Sequence, residues 1–177
     1  MTGLTFFNTL VGIGTVLILA IVVVVWIMEF LGERTNKLFK FLARHHFHIS
    51  FLIALAAILG SLTYSNIFHF PPCEFCWWIR ICMYPQLIIL GIGIWSKDIK
   101  MWLTSVILSV IGICFSIYLV LLQMGIVGGN AACVAGGVSC AKIDVTIFGW
   151  LTIPIMALIF FAGVLTFAHL AHNRQDK

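Results

Sequence analysis

Five apolar stretches, each long enough to cross a bilayer, leave this chain almost no other way to fold. They run roughly over Leu10–Leu31, Ile49–Phe68, Cys76–Trp95, Met101–Met124 and Ile147–His169. A helix needs about 20 apolar residues to span the hydrocarbon core. In lipid every backbone N–H and C=O must be paired internally, so these segments are expected to be helices. Of 177 residues, 62% are hydrophobic and 9% charged, where soluble domains carry about 25% charged residues. The expected class is therefore an all-α integral membrane protein, a single bundle of five helices.

Charge sets the expected orientation. The first stretch has no Lys or Arg before it and no small-residue cleavage site after it, so it reads as a retained helix rather than a leader. Arg34, Lys37, Lys40 and Arg44 follow it. Lys97 and Lys100 lie in the turn after the third stretch, and Arg174 and Lys177 in the tail. Those eight share one side of a five-helix protein, against Arg80 and Lys142 on the other. The positive-inside rule then places the carboxyl terminus in the cytoplasm. The amino terminus and the segments 69–75 and 125–146 face outward. Basic residues used this way explain the net charge of +4 without nucleic acid as a partner. His45, His46 and His48 fall in the basic cytoplasmic loop, where no metal site is expected.

Four of the six cysteines fall on the outer face, where disulfides persist. Cys73 and Cys76 stand at the mouth of the third stretch. Cys133 and Cys140 lie in the only sizeable outer loop. Cys82 and Cys114 sit within apolar stretches and read as small packing residues. The four outer thiols admit three readings: redox-active pairs that exchange with each other, inert staples, or a four-thiolate zinc site. A bridge between residues three apart closes a tiny loop and adds little stability. A Cys pair leading straight into a membrane helix is also an unusual setting for zinc.

Pro71 and Pro72 cannot lie inside a helix, so they mark the turn before one. Cys73 and Cys76 then occupy the first helical turn. Unpaired backbone N–H groups and the positive end of the helix dipole stabilise a thiolate there, which raises reactivity. Arg80 follows Cys76 at i+4, on the same face. Its guanidinium would favour the thiolate and could donate to a ligand carbonyl. The plainer alternative is an Arg that snorkels to headgroups. Trp77, Trp78 and Tyr84 suit an interfacial aromatic belt or the wall of a flat pocket. Tyr84 shares the Cys76–Arg80 face, and Trp77 and Trp78 point elsewhere. The Cys133–Cys140 loop is rich in Gly and small residues, open to an approaching protein, and a disulfide there would be labile. One accessible pair and one membrane-side pair together describe an electron relay.

The run Cys73-Glu74-Phe75-Cys76-Trp77-Trp78-Ile79-Arg80-Ile81-Cys82-Met83-Tyr84-Pro85 resembles the disulfide bond formation protein B family, nearest its BdbC-like branch. Phe148-Gly149-Trp150-Leu151-Thr152-Ile153-Pro154 supports the likeness, which covers about residues 50–170. It implies a four-helix transmembrane bundle over residues 49–177, with residues 1–48 adding one N-terminal transmembrane helix and the basic loop. It also implies a bacterial cytoplasmic-membrane enzyme that reoxidises a DsbA-like thioredoxin-fold thiol oxidase at the expense of a quinone, ubiquinone or menaquinone. Cys76 would be the quinone-reactive thiolate and Cys73 its partner. Arg80 would be the quinone-side cation, with Trp77 and Tyr84 as further quinone contacts. Cys133 would form the mixed disulfide with the oxidase, and Cys140 would resolve it.

Three features depart from that pattern: the extra first helix, Trp78 in place of Tyr, and a short Cys133–Cys140 segment. Two other functions compete. The vitamin K epoxide reductase class also combines a four-helix bundle, quinones and two Cys pairs, but its Cys-x-x-Cys follows the loop pair rather than preceding it. The other is a non-catalytic membrane subunit with structural disulfides.

Overall fold

The structure is a computed structural model that describes residues 2–32, 37–96, 100–127, 140, 143 and 145–175. Five helices in it are long and apolar enough to cross a membrane. They are α1 (Thr2–Phe30), α3 (His46–Asn66), α4 (Glu74–Ser96), α5 (Lys100–Gln123) and α6 (Ile153–Gln175). A short helix α2 (Lys37–Arg44) and a two-stranded hairpin, β1 (Thr146–Ile147) and β2 (Leu151–Thr152), complete the order.

Three boundaries differ from the sequence expectation, each for a local reason. Helix α1 begins at Thr2, well before Leu10. Its early polar residues find partners within the fold: Thr9 donates to the Thr5 carbonyl at 2.8 Å, and Asn8 accepts from the Tyr64 hydroxyl at 2.8 Å. Helix α2 occupies part of the expected basic loop. Its Phe39 is buried against Val25, Met28, Phe167 and Leu170, while Lys37, Lys40 and Arg44 are exposed. Helix α6 begins at Ile153 rather than Ile147. Phe148 (φ 54) and Gly149 (φ 77) turn the chain through the left-handed region, which no helix continues. Pro154 then sits in the first turn of α6, where its missing N–H is not needed.

Helices α3, α4, α5 and α6 form a closed ring, each packed on the next, and α1 leans on α6 from outside it. The first half of α1 packs with Tyr64, Ile147 and Leu151, and its last turns pack with Phe39 and Leu170. The amino terminus and the hairpin thus share one end of the bundle, and α2 lies at the other. Between α4 and α5, the buried Gln86 donates to Ser109 at 2.8 Å and accepts from Ser105 at 3.0 Å. Such interhelical bonds average about 0.6 kcal/mol in membranes.

Close approach of α5 and α6 depends on Gly112. A Cβ there would run into the Phe161 ring, which is fully buried. Gly112→Ala is expected to destabilise the detergent-solubilised protein by about 1–3 kcal/mol, the scale of overpacking. Gly91→Ala, whose new methyl would meet its nearest atom at 3.4 Å, serves as the comparison. Equal thermal unfolding curves for the two variants would show that the α5–α6 contact is more compliant than drawn.

Candidate redox site

Cys73 ends the extended segment that carries Pro71 and Pro72, and its carbonyl accepts the Trp77 N–H at 3.2 Å, the first hydrogen bond of α4. Cys76 lies inside the first turn. Both sulfurs therefore sit at the helix end where N–H groups are unpaired and the dipole is positive. The sulfurs are 2.8 Å apart and unbonded.

Cys140 is buried in the same cluster, near both of these sulfurs. Cys73 thus has two other sulfurs near it. Its thiol is held well above the ordinary range, first by the hydrogen bond with Cys76 and then by burial. In the dithiol state Cys73 keeps its proton. Cys133 lies outside the described residues. Of the remaining cysteines, Cys82 is buried in the core and Cys114 is exposed on α5.

Arg80 is one turn beyond Cys76 and is held by α3. Its Nε donates to Ser61 Oγ at 2.9 Å, and one Nη donates to the Ser61 carbonyl at 3.1 Å and to Ser65 Oγ at 3.3 Å. Its guanidinium carbon lies 5.5 Å from the Trp77 ring centroid, a cation–π contact. Among the described residues no carboxylate pairs with it. An ionised side chain inside a membrane helix is costly, which makes Arg80 a candidate functional residue.

Cys73, Cys76, Cys140 and Arg80 all line one cavity of about 440 Å³, within the range of about 300–1,000 Å³ typical of small-molecule sites. Its other walls are largely apolar, among them Ile79, Met83, Leu119 and Phe160. Trp77 and Tyr84 do not line it. Trp77 is half exposed under the guanidinium, and Tyr84 packs against the core cluster. Trp78 stacks on Phe115, with centroids 6.0 Å apart. The site also recruits residues that sequence reasoning missed. Ser61 and Ser65 were marked only by their i, i+4 spacing within an apolar helix. A face of α1 on the cavity wall carried no sequence signal, because that helix is apolar all round.

The family described as "Disulfide bond formation protein DsbB" matches residues 43–171. Among curated relatives, "Disulfide bond formation protein C" of Bacillus subtilis (strain 168) is 39% identical over 132 residues, covering 73% of this chain and 94% of its own. "Probable disulfide formation protein" of Oceanobacillus iheyensis is 42% identical over 128 residues, covering 70% and 86%. "Probable disulfide formation protein C 2" of Bacillus cereus is 31% identical over 138 residues, covering 78% and 99%. No solved structure matches. A family match over most of the chain, together with these relatives, places it in the disulfide bond formation protein DsbB family, as a multi-pass membrane oxidoreductase that generates disulfides.

Proposed function

We propose that the chain reoxidises a DsbA-like thioredoxin-fold thiol oxidase and delivers the electron pair to a membrane quinone. The observation that carries this reading is the gathering of Cys73, Cys76 and Cys140 on the wall of one apolar cavity that Arg80 also lines. The oxidase dithiol attacks the Cys133–Cys140 disulfide at Cys133 and leaves as a disulfide. The thiolate of Cys140 attacks Cys73 and displaces Cys76, which then faces the cavity. Cys133 then attacks Cys140, which closes the loop disulfide and releases Cys73, and Cys73 and Cys76 would re-form their own disulfide by passing two electrons and two protons to a quinone held in the cavity. In the net reaction, two partner thiols plus quinone give one disulfide plus quinol.

The residues present suit a quinone. The cavity wall is apolar where a ring would lie, and the guanidinium stands ready to donate to a carbonyl oxygen. Ser61 and Ser65 fix that guanidinium, and Trp77 supports it from the side. Tyr84 shapes the core behind the cavity. On this reading residues 49–177 carry the reaction, and residues 1–48 add α1 and α2. The protein would lie in the bacterial cytoplasmic membrane, with its amino terminus and cysteines outside and its carboxyl terminus inside.

Purified protein, a reduced thioredoxin-fold oxidase and either ubiquinone or menaquinone should yield one quinol per dithiol, followed by ultraviolet absorbance. Failure to reduce any quinone with any dithiol partner would return the chain to a structural-disulfide role.

A further inference from the structure

The cavity has a wall that the family core does not supply. Phe7, Leu10, Val11, Gly14, Thr15 and Ile18 of α1 all line it, while the family match begins at residue 43. These six are spaced three and four apart, so they form one face of α1. The facing wall is a similar stripe on α3 that includes Ala56, Ala57 and Gly60. Helices α1 and α3 both pack on α6, and the cavity fills the space between them.

Helix α1 is held firmly in that position. Asn8 accepts from Tyr64 at 2.8 Å, and Trp26 Nε1 donates to Thr166 at 3.2 Å. A Cβ on Gly12 would meet Ile147 and Phe148 at 2.7 Å, so α1 touches the hairpin there. Gly12 thus does what glycine commonly does in a membrane helix, which is to let neighbours approach closely. Gly14 and Gly60 do not. A Cβ on either would find no heavy atom within 4 Å, yet both line the cavity. Each costs its helix about 1 kcal/mol relative to Ala and gains no packing contact in return. Leu10 and Leu59, both more than half exposed, edge the same opening from α1 and α3.

Resting on the quinone reading above, we propose that α1 converts the quinone site into a slot with a lateral portal between α1 and α3, through which the polyprenyl tail passes to the lipid. Gly14 and Gly60 keep the portal open. The cavity accommodates a ring but not a long tail, so the tail must leave it. The apolar edge at Leu10 and Leu59 gives the tail a path into hydrocarbon. The extra helix is then a specificity element, which admits tailed quinones by one route and shields the reacting sulfur from the rest of the bilayer.

The full chain in lipid nanodiscs, driven by a reduced thioredoxin-fold dithiol protein, provides the test. Gly14→Leu and Gly60→Leu should raise the KM for a long-tailed quinone roughly tenfold, several times more than for a tail-less benzoquinone. Leu is the better helix former, and thermal unfolding checks that the variants remain folded. Gly3→Leu, at an equally open α1 position off the cavity, should change neither value. Independently of any variant, a quinone with a photoreactive tail should label residues 10–18 of the wild-type chain. Unchanged KM values, equal effects on both quinones, or labelling confined to other helices would each overturn the portal while leaving the quinone reading intact. Wild-type protein that reduces neither quinone would remove the quinone reading, and the portal with it.

Discussion

Replacing Cys76 by Ser is expected to abolish quinone reduction. Cys76 is the cysteine that shares its helix face with Arg80, one turn away, and both line the cavity. A serine hydroxyl is far less nucleophilic than a thiolate at neutral pH. Turnover should therefore fall by at least about a thousandfold, the scale seen when a covalent nucleophile is removed. Exchange with the partner has a different fate. Among the described residues, Cys73 would retain Cys140 as the neighbouring sulfur in the site. The variant, once exposed to oxidised partner, should accumulate a Cys73–Cys140 disulfide, visible by mass spectrometry of the non-reduced protein. Quinol production that survives Cys76→Ser would sink the assignment of the nucleophile.

Arg80→Met carries the second large effect. Methionine fills a similar length of apolar space but offers no donor. A hydrogen bond to a charged group contributes about 1.5–3 kcal/mol, so the quinone KM should rise roughly 10- to 100-fold. Single-turnover exchange with the dithiol partner should change much less, because Cys140 does not depend on the guanidinium. Arg80→Lys is expected to recover only part of the loss. A single ammonium cannot reproduce the forked contacts to Ser61 and Ser65. Quinone kinetics unaltered in Arg80→Met would mean that Arg80 only ties α4 to α3.

Much of the scaffold was legible because its signal is local. Length and hydropathy suffice for five membrane helices, and the spacing of Cys73, Cys76 and Arg80 is enough to place them at one helix start. The start of α6 was not legible, since Ile147, Phe148, Trp150 and Leu151 are as apolar as the helix they precede. Only the positive φ at Phe148 and Gly149 ends the expected continuity. Helix α2 was hidden by its brevity and its basic residues. What a single sequence cannot carry is the meeting of distant segments. Ser61 and Ser65 reach Arg80 from another helix, and Cys140 reaches Cys73 across more than sixty residues of chain. Trp77 and Tyr84 show the converse. Their proximity in sequence to the reactive pair does not put them on the cavity wall.

A sulfur with two others near it can bond only one of them at a time, and this gives Cys73 the character of a pivot. When it bonds Cys140, it blocks that thiol from recapturing Cys133 and reversing the exchange. The same event sets Cys76 loose toward the cavity. When Cys133 attacks Cys140, the loop pair closes and Cys73 is released to pair with Cys76. On the proposed reading, one sulfur passes the electron pair from the loop cysteines to Cys76 by successive exchange, with no moving domain required.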